Sequence, residues 1–253
     1  LPDFFKNYTA AEIFEKADRY RAPLAVIPNQ REMLNWPHYI ETNFWKEVHN
    51  SSLGSHPIPS GPIVFDDNDS GSFKGAPTIG EHTKEVFDQL TDSGVVKTVE
   101  ISVNRCARLP LSGLRVVDMT QVWSGPYGAR FLADMGAEVI KVEGPRFPDP
   151  IRTAGGAWTS PEINLSAYFN EYNRGKKSLV LDIKHPEGMA ALKKLIRVAD
   201  VFIENWSSGV ADKNGLSYDD LKSMNPRIIY ISMPGFGHEG PDATRVGFGP
   251  TIE

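Results

Sequence analysis

Short clusters from residue 120 onward hold side chains suited to a nucleotide ligand. They are Thr120-Gln121-Val122-Trp123-Ser124, Glu143-Gly144-Pro145-Arg146, Asp182-Ile183-Lys184-His185, Asn205-Trp206-Ser207 and Pro234-Gly235-Phe236-Gly237. The indoles of Trp123 and Trp206 could flank a purine, and the cations Lys184, Lys213 and Arg245 could meet phosphates. The Asn205 amide could hydrogen-bond a base or another amide. Taken singly, each has a plainer reading: a tryptophan near a strand end fills core, and a lone lysine is solvated surface. What joins the clusters is their position, each directly after an apolar run.

Those runs are strands. From Leu114 to Glu143 an apolar run meets a small-residue turn at Ser124-Gly125-Pro126. A helical period through Phe131, Leu132 and Met135 follows, then Gly136 and a second apolar run, Val139 to Val142. This is the strand, helix and strand of a parallel βαβ unit. Further strands are expected at Ser178 to Ile183, Val201 to Ile203 and Arg227 to Ser232. The helices between them start at Pro186, with Met189, Leu192, Ile196 and Ala199 on one face, and at the Ser217–Asp220 cap. The alternation predicts an α/β fold, a Rossmann-like open, mainly parallel sheet with flanking helices, whose ligand crevice lies outside the carboxyl ends of the strands. Gly125 and Gly128 permit close backbone approach, and Glu143 stands where dinucleotide folds keep a ribose-binding carboxylate. The full G-x-G-x-x-G fingerprint is missing.

The first part of the chain has a different texture. Thr9 and Glu12 form a capping box before a helix, and Leu24 to Ile27 reads as a strand. Residues 30–48 are mostly helical in pattern and broken at Pro37. Residues 49–76 read as loops around a short strand from Ile63 to Phe65. Thr78 to Asp92 is expected as a helix with Thr78 and Glu81 as its capping box and Val86, Phe87 and Leu90 as its buried stripe. Residues 93–110 lack a period and read as a connector, and residues 144–163 as a Pro/Gly-rich loop on the ligand side.

Composition narrows the function classes. The 253 residues carry a formal net charge of -5, with a pI near 5.7 and a mean hydropathy of -0.32. Such a surface does not suit nucleic acid or an anionic membrane. No apolar run is long enough to span a bilayer, and residues 1–12 lack a signal-peptide pattern. The single cysteine, Cys106, makes no internal disulfide and has no histidine near it in sequence, so a cytoplasmic location is expected and a thiol nucleophile is not. The six histidines show no metal-ligand spacing.

The stretches LSGLRVVDMTQVWSGPYGARFLADMGAEVIKVEGP, NRGKKSLVLDIKHPEG, ADVFIENWSSGVADKNGLSYDDL, NPRIIYISMPGFGHEGP and GFGPTIE, in this order over residues 111–253, closely resemble the N-terminal part of the class III coenzyme A transferases. These include the formyl-CoA and carnitine-CoA transferases. Residues 1–92, with RAPLAVIPNQREMLNWPHYIETNFW, PIPSGPIVF and GAPTIGEHTKEVFDQL, look like the C-terminal segment of the same family. The inverted order implies the central piece of a tandem fusion: 1–92 from a first copy, a linker over 93–110, and 111–253 from a second copy. Such a piece could also close on itself as a permuted domain.

By matched position the resemblance implies that Trp123 and Ser124 line coenzyme A. It places Leu181, Asp182 and Lys184 at the nucleotide portion, Asn205 and Trp206 beside them, Lys213 where some relatives carry arginine, and Val246, Gly247, Phe248 and Gly249 on the last cofactor segment. Gly144 replaces an arginine of some relatives, with Arg146 a possible stand-in. The implied reaction transfers CoA from an acyl-CoA to a small carboxylic acid through an aspartyl-CoA intermediate. The aspartate lies beyond the GFGPTIE motif, so the partners are the two substrates and the remaining part of the transferase or a second copy. Two other classes stay open at this point: a nicotinamide-dependent oxidoreductase, motivated by Glu143, and a non-catalytic CoA-binding or interaction module.

Overall fold

The computed structural model describes residues 2–50, 54–60, 63–64, 75–92, 109–153 and 162–249. They fall in two compact units, one combining residues 1–26 with 107–253 and the other made of residues 27–106.

The first unit begins with α1 (Pro2–Phe5) and α2 (Ala10–Arg19). The box at the start of α2 forms as expected, the Thr9 hydroxyl accepting from the Glu12 N–H and the Glu12 carboxylate accepting from the Thr9 N–H. Leu24 to Ile27 has no regular structure, and Ile27 is 96% exposed. Pro23 and Pro28 bracket this run without a donor, so it has little to offer a neighbouring strand.

The second unit holds α3 (Gln30–Leu34), α4 (Pro37–Glu41), β1 (Trp45–Asn50), β2 (Gly54–Pro59) and α5 (Thr83–Asp92). The break at Pro37 is where the sequence puts it. Residues 45–48, however, belong to the antiparallel β1–β2 hairpin rather than to a helix. Pro57 and Pro59 argued against a strand, yet in a two-stranded sheet every strand is an edge and a missing donor can face solvent. Ile63 and Val64 are exposed and irregular, while Phe65 lies outside the described residues. Of the expected Thr78–Glu81 box one half is seen, the Glu81 carboxylate accepting from the Thr78 N–H and hydroxyl, while the Glu81 N–H donates to the Thr78 carbonyl and closes a turn; Gly80 at φ 78° interrupts the path and α5 starts only at Thr83. Its expected buried stripe is not buried, Val86 and Phe87 being exposed; the side chain of Leu90 lies outside the described residues, as do residues 93–108 of the expected connector.

The rest of the first unit is the parallel sheet. It contains β3 (Arg115–Asp118), α6 (Ser124–Asp134), β4 (Glu138–Glu143), α7 (Ala167–Asn173), β5 (Lys177–Val180), α8 (Pro186–Ile196), β6 (Val201–Glu204), α9 (Val210–Lys213), α10 (Tyr218–Met224) and β7 (Ile229–Ser232). The strand order is β5-β4-β3-β6-β7, with every neighbouring pair parallel. This is the open α/β sheet that the alternation predicts, and both faces of its central strands are covered. Val117, Val142 and Phe202 pack with Leu192 and Ile196 of α8 and Leu221 of α10. On the other face Val116, Val139, Val201 and Ile203 pack with Ala129 of α6. Successive strand residues point to opposite faces, so strands covered twice must be apolar throughout. Each fully buried Val, Leu, Ile or Phe contributes about 1.5–3 kcal/mol relative to exposure.

Candidate functional site

The chain leaves β3 toward β4 on one side and later returns to place β6 on the other. The strand order therefore reverses between β3 and β6, and ligands of open α/β sheets bind outside the carboxyl ends of the strands at such a point. The segments that meet there are Thr120–Ser124, after β3, and Asn205–Trp206, after β6. Asn205 joins them: its Oδ1 accepts from the Gln121 N–H at 2.8 Å and its Nδ2 donates to the Gln121 carbonyl at 2.8 Å. One lone pair and one N–H of the amide are left over for a ligand.

Trp123 immediately precedes α6, stacks on Tyr168 at 5.8 Å between centroids and stays 49% exposed. Ser124, the first residue of α6, is exposed, and the helix has no side-chain cap. At Gly125 an added Cβ would lie 2.5 Å from the Thr120 Cβ, so the close approach of α6 to the turn after β3 depends on that glycine. Trp206 is half-buried against the core, and its backbone N–H donates to Glu204 Oε2 at 2.6 Å.

A second group gathers beyond β5. Leu181 and Asp182 are half-buried and Lys184 is exposed. The Lys184 ammonium donates to Asn214 Oδ1 at 2.8 Å, the residue that follows the exposed Lys213 at the end of α9. The third cation is elsewhere. Arg245 donates from Nε to Asp242 Oδ1 at 2.6 Å, from Nη1 to the Phe14 carbonyl at 3.0 Å and from Nη2 to Glu15 Oε1 at 3.1 Å, with its guanidinium 3.7 Å from the Phe14 ring centre. It anchors the following residues, Val246–Gly249, to α2, and it is not placed to meet a phosphate as the sequence suggested. In that segment Val246, Gly247 and Gly249 are half-buried and Phe248 is exposed.

The sequence profile of CoA-transferase family III matches residues 1–83 and 111–253. The chain belongs to this family. It is 47% identical over 146 residues to a succinate–glutarate CoA-transferase of Agrobacterium fabrum, the match covering 55% of this chain and 36% of that protein. To the succinyl-CoA:glutarate CoA-transferase of Homo sapiens it is 42% identical over 139 residues, covering 55% and 31%. Among solved structures, a CAIB/BAIF family protein from Brucella suis superposes with a TM-score of 0.51 at 42% identity, over 57% of this chain and 38% of that one. The chain spans about a third of the length of these relatives.

Seen as part of a family III transferase, Glu143 is not a ribose ligand. It is 4% exposed, and both its oxygens accept from Arg152, at 2.8 and 2.7 Å, while Oε1 also accepts from the Asp149 N–H at 3.0 Å. Burial alone would raise its pKa, but the Arg152 and Asp149 hydrogen bonds outweigh it and hold the carboxyl below the ordinary glutamate value.

The sequence reading missed the buried polar network to which Glu143 belongs. Lys141 donates to Asp149 Oδ2 at 2.8 Å and also to the Thr120 carbonyl. Lys176 donates to Asp118 Oδ2 at 2.8 Å, the Pro126 carbonyl at 2.9 Å and Asn173 Oδ1 at 2.9 Å. Burial pushes the Lys176 ammonium below the ordinary lysine value, against the pull of Asp118. The signal was there in Lys141, a cation inside the apolar run VIKVE, which a strand covered on both faces tolerates only with a paired anion.

A cavity of about 220 Å³ also opens beside the ends of β6 and β7, lined in part by Glu204, Ser207, Asp212, Tyr218 and Tyr230. Glu204 is buried and accepts from Tyr230 Oη at 2.8 Å and from Ser232 Oγ. Burial raises the Tyr230 pKa strongly, helped by that carboxylate. Among the described residues no group of His, Cys, Asp and Glu is arranged to hold a metal ion, and no helix is long and apolar enough to cross a membrane.

Proposed function

We propose that this chain is the CoA-binding portion of a class III CoA-transferase that moves coenzyme A from an acyl-CoA to a small carboxylic acid. The observation that carries the reading is the meeting of Thr120–Ser124 with Asn205–Trp206 at the β3/β6 reversal, in a stretch 40% or more identical to known CoA-transferases. Its donor set suits CoA: an uncapped helix start at Ser124, the exposed indole of Trp123, and the exposed cations Lys184 and Lys213 for phosphates. Trp206 and Asn205 form the wall of the crevice, Leu181 and Asp182 border the nucleotide portion, and Val246, Gly247, Phe248 and Gly249 lie on the last cofactor segment.

In the reaction, an aspartate carboxylate attacks the thioester carbonyl and the C–S bond breaks. The CoA thiolate then attacks the aspartyl side of the anhydride, releasing the first acid and leaving aspartyl-CoA, from which the acceptor acid takes CoA by the reverse steps. The aspartate is assigned to the rest of the transferase. Asp118 and Asp149 are buried in ion pairs, and Asp200 accepts from the Arg115 N–H at the amino ends of β3 and β6, opposite the carboxyl ends. Residues 1–92 are read as the C-terminal segment of one copy and 111–253 as the N-terminal segment of the next, joined through 93–110 in a tandem fusion; the cytoplasm is the compartment that a single cysteine suits.

Calorimetric titration of the 253-residue chain with CoA and with NADH tests the ligand. CoA should bind and NADH should not; the reverse result would refute the reading. Trp206→Ala and Asn205→Ala should each weaken CoA binding, and unchanged affinity in both would move the site away from this crevice.

A further inference from the structure

Val122 has φ 70°. A β-branched residue in the left-handed region is a steric outlier that persists only where its surroundings over-determine it. Here they do. The Val122 N–H donates to Asp149 Oδ1 at 3.0 Å. On one side the Gln121 backbone is held at both its groups by Asn205. The Thr120 N–H and hydroxyl donate to Asp118 Oδ1 at 2.9 and 2.5 Å, and its carbonyl accepts from Lys141. Asp149 is fully buried and is itself fixed, by Lys141 on its other oxygen and by its own N–H on Glu143, which Arg152 holds in turn.

This is more restraint than a connection between a strand and a helix requires, and it converges on the residue just before Trp123. We propose that Asp149 is a positioning residue for the crevice. With Lys141 behind it, Asp149 keeps Val122 left-handed, and this backbone conformation sets the aim of Trp123 and of the uncapped start of α6 toward the ligand. Released, Val122 relaxes to an extended conformation and the indole and helix start lose their common geometry. The inference rests on the CoA reading of the crevice.

Glycine adopts the left-handed conformation without a clamp, so Val122→Gly should rescue a lost Asp149. A merely structural Asp149, whose removal leaves Lys141 buried without its anion, would show no such rescue. CoA affinity is measured by calorimetry on the full chain for wild type, Asp149→Ala and Asp149→Ala/Val122→Gly. Asp149→Ala should weaken binding about tenfold to a hundredfold, and the double variant should recover most of that loss. If Asp149→Ala does not fold, Lys141→Met/Asp149→Leu, which removes both charges together, takes its place with and without Val122→Gly. Wild-type affinity in the single variant, or a double variant as weak as the single, overturns the inference alone. A wild type that does not bind CoA overturns the ligand reading and this inference with it.

Discussion

Several buried charges among the described residues are paired with one another, and Glu143 shows what that implies for the response to pH. Its folded pKa lies below the ordinary 4.5. The pair with Arg152 therefore contributes stability that is complete above the unfolded value and is lost as pH falls through the lower, folded one. At pH 7 wild type should exceed Glu143→Gln by about 3 kcal/mol, because the substitution strands a largely buried guanidinium. Below pH 4.5 the gap should close, and urea unfolding at a series of pH values would show it; a gap that stays constant into acid would mean that the carboxylate is not what Arg152 reads. From sequence alone this residue looked like a ribose ligand, since its place after the second strand is the same in either role. Only the arrival of Arg152 and Asp149 from the following loop separates the two.

At the scale of elements, the contact between α6 and the turn after β3 is decided by a missing side chain. Gly125→Ala would push a methyl into Thr120, with heavy atoms 2.5 to 3.0 Å away. It should cost about 1–3 kcal/mol, the penalty of overpacking. Gly128→Ala, three residues on in the same helix, meets nothing within 4 Å and should stabilise by about 0.5–1 kcal/mol, as alanine does in a helix interior. Thermal unfolding of the two variants checks the contrast, and equal effects would contradict the close approach. The sequence named both glycines as candidates for close packing but could not rank them, because the distance to Thr120 depends on how the helix lies on the sheet.

At the scale of the molecule, the first unit joins the two ends of the chain, residues 1–26 and 107–253, and Arg245 is the clearest tie between them. Arg245→Ala would remove its bonds to Phe14, Glu15 and Asp242. Amides of α2 should then exchange hydrogen about tenfold faster, while those of β3 and β6 keep their protection. Unchanged exchange in α2 would show that the helix is held by other contacts. Because α2 is anchored beside Val246–Gly249, this tie belongs to the same structural account as the proposed cofactor segment.

The sequence by itself determined the parallel sheet and the family. Strands covered on both faces must be apolar runs, helices between them must carry one apolar stripe, and the motifs of residues 111–253 lie at the resulting strand ends. The caps at Thr9 and Ser217 were legible for the same local reason, each spanning only four residues. What required the tertiary structure was every outcome set by partners distant in the chain. Pairing between strands made a hairpin of the proline-bearing β1 and β2 and left Leu24 to Ile27 without a role in a sheet. Three side chains from other elements fixed Val122 in a conformation that its own chemistry disfavours. Packing against α2 turned Arg245 from a candidate phosphate ligand into an internal anchor, because a guanidinium binds whichever acceptors the fold delivers to it.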